Sequence, residues 1–426
     1  MNPLRTTVLS LLSLIILVSC TENKAKTAAF NRANVRDTLA VRDSLVALQY
    51  NPAEAARKSY QLDTFFRSLH QKHGFNGTVL IAQYGKVLYK GAFGYADLSR
   101  KDTLTDQTSF QLASVSKQFT AVAVMKLKEM GKLRYDDDVK KYLPDFPYEG
   151  VTVRQLLCHR SGLPNYMYFC DDYIKDRKTF INNSHVIQLL AQHKPNPYFT
   201  PNRRFMYSNT GYCLLASITE KVSGRPFQQF MDEQVFKPLG MTHTRVFTDE
   251  GSVSMLQVAK GYSGGRRQYG ASYQDGVVGD KNVYSTAEDL FKWDRALYTN
   301  RVVSQATLEE AFTPASPELK VQNYGYGWRL RTTSGGDPII FHGGWWHGYK
   351  SYFMRNRKDQ STVIVLSNVA NRSLSYLKFL QEILYPFQEG NEMPSTPETD
   401  QGAQSQVHNQ SQHKLLVQHH AKKSNS

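Results

Sequence analysis

No basic stretch of this chain is interleaved with stacking aromatics, which argues against RNA or single-strand binding despite a formal net charge of +15. Its 52 Lys and Arg are scattered against 37 Asp and Glu and read as a solvated basic surface. No dinucleotide-binding or phosphate-loop fingerprint occurs, so nothing asks for a nucleotide or another cofactor. Long apolar runs are also missing: Thr6 to Ser19 is too short to span a bilayer and has the length of a signal h-region. Cysteine is scarce, with four in 426 residues. Setting Cys20 aside, Cys158, Cys170 and Cys213 are an odd number for an oxidising compartment. Cys158 and Cys170 could close a short loop, but a small buried thiol is the favoured state of each. What remains, 41% hydrophobic and 21% charged residues, is the composition of a soluble globular protein of one large domain or two closely packed ones.

The first residues point to export. Met1 to Arg5 carries one positive charge ahead of the apolar run, which ends in Leu17-Val18-Ser19-Cys20. That ending resembles the bacterial lipobox, where the signal peptide is removed before a cysteine that becomes acylated, so residues 1–20 read as a lipoprotein signal with Cys20 as its lipidated residue. Cys20 is then the lipidated first residue of a lipoprotein on the cell envelope, membrane-attached and facing the periplasm or the cell surface. The alternative is an ordinary secretory signal with a chance cysteine. Residues 21–55 are polar and Ala-rich and suit a spacer. Beyond about residue 388 the chain is Gln, Ser and His rich with almost nothing to bury, so 389–426 reads as a disordered polar tail. His408, His413, His419 and His420 lie there without a carboxylate or thiol framework, and solvation rather than a metal site is the expected state.

Between these ends the pattern changes from strand to helix and back. Leu62, Phe65, Phe66 and Leu69 recur at helical spacing up to His73-Gly74. Residues 78–83 and 87–93 flank Tyr84-Gly85-Lys86 and predict a β-hairpin. Ser114 to Met130 predicts a buried helix stopped by Gly131. From about Asp136 to Asp280 strand signals thin out, which predicts a mainly helical subdomain. Strand-like runs return at 326–332, 338–341, 349–354 and 362–367, before a closing helix over 374–384. Strands at both ends with helices between predict one sheet built from the two termini.

Three constellations carry chemistry. Ser114-Val115-Ser116-Lys117 puts a hydroxyl at a helix start and an amine one turn later on the same face. A serine hydroxyl is a poor nucleophile without a neighbouring base, and a helix N-terminus favours the negative charge of attack. The spacing recurs at Ser375 to Lys378 and Ser411 to Lys414, where a surface helix and the tail are the natural readings. Tyr207-Ser208-Asn209 supplies a phenol whose pKa a nearby ammonium lowers, and an amide able to bond a substrate. Its chance double, Tyr298-Thr299-Asn300, lies at a helix end. His342-Gly343-Gly344 follows the apolar run Ile339 to Phe341, so it sits on or at the end of a strand where glycines admit a substrate backbone, or else is a turn.

Taken together the chain resembles the serine β-lactamase and penicillin-binding-protein family, in the branch of class C β-lactamases, DD-peptidases and esterases. The motifs stand in the family's order. Framework segments match as well, among them Gly131 to Val139, Leu156-Leu-Cys-His-Arg-Ser-Gly-Leu163, Phe236 to Met241, Tyr284 to Leu290 and Tyr324-Gly-Tyr-Gly-Trp328. The resemblance implies an α/β (α+β) fold over 56–388: a β-lactamase/transpeptidase-like antiparallel sheet flanked by helices, with a mainly helical subdomain inserted at about 136–280. It implies that Ser114 forms an acyl-enzyme while Lys117 and Tyr207 share proton transfer, with the base not assigned between them, coupled in titration to His342. Asn209, His342, Gly343 and Gly344 then bind substrate, and the backbone N–H groups of Ser114 and Trp345 form the oxyanion hole.

One departure bears on substrate. Many β-lactamases carry Lys-Thr-Gly at the third motif, whereas His342 can be neutral at pH 7 and Gly343 has no hydroxyl, which weakens the case for a dedicated β-lactamase. Trp345, Trp346, His347 and Tyr349 are an aromatic rim or core packing. The expected activity is a serine hydrolase for amide, peptide or ester substrates of DD-peptidase, D-aminopeptidase or esterase type, a D-amino-acid peptide of cell-wall origin among the candidates. A catalytically idle relative that binds peptidoglycan or a partner has no physical need to keep Ser114, Lys117 and Tyr207 together.

Overall fold

The computed structural model describes residues 44–249, 253–316, 318–319, 322–332 and 338–386. The leader with Cys20, most of the spacer and the polar tail with its histidines lie outside them. Residues 44–50, part of a unit ending at Tyr50, hold a helical turn over 44–47. The second unit begins at Asn51 and contains everything below.

Helix α1, Pro52–His73, begins inside the stretch read as spacer. Its start is locally coded: the Asn51 side chain accepts the N–H groups of Ala53 and Glu54, and Pro52 occupies a first-turn position that needs no N–H donor. Gly74 ends it with φ +67, the left-handed region that glycine tolerates. Leu62, Phe66 and Leu69 bury one stripe of the helix, each contributing about 1.5–3 kcal/mol of transfer free energy.

Strands β1 (Gly77–Gln83) and β2 (Lys86–Phe93) form the expected hairpin. The chain returns to the same sheet only near its end, with β3 (Gln322–Tyr324), β4 (Arg329–Thr332), β5 (Pro338–Trp346), β6 (Tyr349–Asn356) and β7 (Ser361–Ser367). The seven strands run β2-β1-β7-β6-β5-β4-β3, all neighbours antiparallel. The termini therefore meet at β1 and β7, where Gly77 faces Ser367 and Ala82 faces Thr362. All positions of β1 and β7 are buried, so both faces are covered, and near-continuous apolar sequence follows. Two expected strands change length: 326–332 shrinks to β4, and 338–341 extends through Trp346. The extension places His342-Gly343-Gly344 inside a strand and rules out the turn reading.

Helix α2, Lys117–Glu129, follows a 3₁₀ turn, Ala113–Ser116. It packs against α3, Asn209–Ser223. Short helices Val153–Leu157, Tyr166–Tyr173, Asn183–His193 and Phe227–Met231 surround α3, whereas residues 245–249 and 253–280 are mostly loop with two-residue strands. Helix α4, Ala287–Ala296, is capped by Thr286, whose hydroxyl accepts Asp289 N–H, and packs against β1 and β7. Cys158, Cys170 and Cys213 are free and buried, and burial pushes the Cys158 thiol up to about 11, so it is chemically quiet.

Candidate active site

The nucleophile turn is held by three hydrogen bonds to Val283 and Ser351. Leu112 N–H donates to Val283 O, Ser351 Oγ donates to Leu112 O, and Val283 N–H donates to Ser116 Oγ. Ser116 is thereby a brace, fully buried, and leaves Ser114 as the hydroxyl of this turn that meets an amine. Ala113 sits at φ +48, an unusual conformation for alanine that over-determined packing sustains.

Lys117 is fully buried and uses its three N–H donors on Ser114 Oγ (3.1 Å), Asn209 Oδ1 (2.8 Å) and Asp280 O (2.8 Å). Burial drives its pKa down to about 7, the Asp280 carboxylate opposes this and Arg329 adds to it. An amine within reach of a serine hydroxyl and able to lose its proton near neutrality meets the geometric and acid–base requirements of a general base. The Tyr207 ring lies with its centroid 4.9 Å from Lys117 Nζ. Asn209 opens α3 and also donates through Nδ2 to Met167 Sδ.

Two histidines back this centre, and both are neutral. His342 is pushed well below its ordinary pKa by burial and then by Arg329 and Lys117. Its Nδ1 lies 2.7 Å from Gly343 O, which can only accept, so Nδ1 carries the proton and Nε2 accepts from Tyr324 Oη at 3.0 Å. His159, also pushed well below its ordinary pKa by burial and then by Lys117, accepts Ser208 N–H on Nδ1 and packs its ring 4.1 Å from that of Tyr207. The Met206 N–H to His159 O bond completes the clamp on the Tyr-Ser-Asn segment.

The third motif approaches through Gly344. A Cβ there would overlap Leu112 O and Ser351 Oγ, so the glycine permits β5 to lie directly on the nucleophile turn. Gly344→Ala is expected to destabilise the fold by about 1–3 kcal/mol and to reduce turnover by prising Trp345 away from Ser114. Thermal melts and steady-state rates on the same preparation check it; unchanged turnover would mean that this approach does not matter to catalysis.

Ser114, Lys117, Tyr207, Asn209 and His342 thus converge, and Gly343, Gly344 and Trp345 lie on the adjoining strand. The aromatic segment divides. Trp345 is 41% exposed, as a rim residue should be, whereas Trp346 and Tyr349 are half-buried: Trp346 donates through Nε1 to Asp275, and Tyr349 donates to Ala259 O and packs against the core. Sequence patterning did not single out His159, Arg329 or Asp280. His159 lay inside a matched framework segment, but Arg329 and Asp280 become neighbours of Lys117 only through tertiary folding. One Gly-x-Ser-x-Gly occurs, Gly261 to Gly265. Its Ser263 ends a two-residue strand, and Ser263 O and Oγ accept N–H groups of Arg266 and Arg267 in a turn that no helix follows, so it is no nucleophile elbow.

Comparison with known proteins shows the family and the fold. The sequence matches the family described as Beta-lactamase over residues 62–379. It is 40% identical over 327 residues to penicillin-binding protein 4* of Bacillus subtilis (strain 168), covering 73% of this chain and 72% of that one. The octameric penicillin-binding protein homologue of Pyrococcus abyssi superposes with a TM-score of 0.68 at 27% identity, over 78% of this chain and 79% of that one. The D-amino acid amidase of Ochrobactrum anthropi SV3 gives 0.62 at 25% identity, over 76% and 96%.

Proposed function

The chain belongs to the beta-lactamase family, and from that premise we propose that it is a serine hydrolase forming an acyl-enzyme at Ser114 on an amide, peptide or ester substrate. The observation that carries the reading is the 3.1 Å contact between Ser114 Oγ and an amine brought to about 7 by burial. In the first step Ser114 Oγ bonds the acyl carbon, its proton passes to the Lys117–Tyr207 pair, and the leaving amine or alcohol takes a proton as its bond breaks. Water then repeats the sequence in reverse roles and frees the acid. The N–H groups of Ser114 and Trp345 would stabilise the oxyanion.

The acyl donor we favour is a D-amino-acid amide or peptide of cell-wall type. The amidase likeness supports it, and a neutral His342 followed by glycine offers a β-lactam carboxylate neither charge nor hydroxyl at the third motif. A panel of D- and L-amino-acid amides, simple esters and β-lactams, read by product release against the Ser114→Ala variant, tests this. Turnover of D-amides above their L-counterparts is expected; preferred turnover of β-lactams would overturn the substrate choice. Because Lys117 must be unprotonated to accept the serine proton, kcat/KM should rise with pH through about 7. A flat profile between pH 5 and 9 would remove Lys117 as the base. Tyr207→Phe is expected to lower kcat by about 10²-fold with little change in KM.

The lipobox-like Leu17 to Cys20 supports an envelope location through an acylated Cys20. Cys20→Ser is then expected to move the protein from the membrane to the soluble fraction.

A further inference from the structure

Behind Lys117 lies a second buried lysine that the acyl-transfer scheme does not use. Lys281 Nζ donates to Tyr166 Oη at 2.6 Å, and Tyr166 Oη donates to Asp280 Oδ2 at 3.0 Å. Lys281 Nζ also lies 3.8 Å from Asp280 Oδ1 and 3.3 Å from Val277 O. None of the three residues is more than 2% exposed. Burying a carboxylate and an ammonium costs several kcal/mol per ion before their attraction offsets it, and apolar residues would fill the same space without that cost. The main chain of Asp280 meanwhile accepts from Lys117 Nζ at 2.8 Å. One residue therefore holds the catalytic amine by its carbonyl while its carboxylate belongs to a buried ion pair.

We propose that Asp280 and Lys281, bridged by Tyr166, are positioning residues whose opposed charges set the proton affinity of Lys117. The inference deepens the Ser114 acyl-enzyme reading and rests on it. The Asp280 carboxylate favours the ammonium form of Lys117; the charge on Lys117 lowers Lys281, and because like-charge repulsion is reciprocal a Lys281 ammonium disfavours the charged form of Lys117. Other groups also face Lys117. Ser114 lies on its own turn, Tyr207 and Tyr212 approach from the α3 side, Arg329 from β4 and His342 from β5, with His159 behind Tyr207. Arg329 is the one permanent cation among these, and both histidines are neutral. Lys281 is faced by Asp280, Asp275 and Cys213, and His347 feels its charge. The Asp280–Lys281 pair adds a carboxylate and an ammonium whose removal acts on Lys117 in opposite senses.

That opposition is the test. The rate at which a fluorophosphonate modifies Ser114 is followed by intact mass from pH 5 to 10 in the full-length protein, Asp280→Asn, Lys281→Met and the double variant. The midpoint of the rise in rate with pH is expected to move down in Asp280→Asn and up in Lys281→Met, with the double variant between the two. A residue that only supports the fold would lower rates at every pH and leave the midpoint in place. Asp280→Asn leaves the Lys281 ammonium buried without its carboxylate, so its fold is checked first. Should circular dichroism show it unfolded, Lys281→Met and the double variant carry the test, through an upward shift in the first that the second reduces. Labelled wild type with unmoved midpoints, or with both single variants moving the same way, overturns this inference alone. Wild type left unmodified at every pH overturns the Ser114 reading and this inference with it.

Discussion

Ser114→Ala is expected to lower turnover of the chain's amide or ester substrate by at least about 10⁴-fold, since loss of the nucleophile removes the covalent route and not one contribution to it. The fold should survive. Ser114 Oγ accepts a bond from Lys117, whose amine keeps Asn209 Oδ1 and Asp280 O, so the expected loss of stability is about 1 kcal/mol. Steady-state rates with a thermal melt on each protein separate the two effects. Turnover retained within tenfold would place the nucleophile elsewhere. Ser116 is a poor substitute, because it is wholly buried and its hydroxyl accepts Val283 N–H.

Lys117→Met should abolish turnover to a similar degree and leave a signature in stability. In the unfolded chain a lysine holds its proton to about 10.5, whereas in the folded site Lys117 releases it at about 7. Between these values the unfolded state binds more protons, so the wild type gains stability as pH rises from 7 toward 10.5. Below 7 the burial penalty is fully present, on the order of 5 kcal/mol for a displacement of that size. Methionine removes that penalty but leaves Asn209 Oδ1 and Asp280 O without their donor, at about 1–3 kcal/mol each. The variant should therefore be as stable as the wild type or more so at pH 6, and lose ground steadily toward pH 10. Urea unfolding at pH 6, 8 and 10 reads the difference. A gap that does not change with pH would show that Lys117 titrates alike in both states.

The elements that were legible in the sequence are those coded locally. The β1–β2 hairpin, the Ser114 to Lys117 spacing and the helix stop at Gly74 each depend on residues within one or two turns of each other, where type and spacing suffice. The return of the chain to β1 could be expected from strands at both ends, but not the register that pairs Gly77 with Ser367. The helix at Pro52 was hidden because an Asn51 cap and a proline start look polar when no apolar stripe has yet begun. The catalytic side chains were recognisable because their motifs stand in a known order. What sets their protonation was not: Asp280, Arg329 and His159 come to Lys117 from three separate segments, and a buried charge carries no mark in sequence of the partner it will meet.

The central claim is that Ser114 is an activated nucleophile, and intact mass tests it most directly. Full-length protein and Ser114→Ala are weighed before and after a serine-directed fluorophosphonate at pH 8, with a melt to show that both are folded. One adduct on the parent and none on the variant is the predicted result; equal labelling of the two, or none on either, would contradict it.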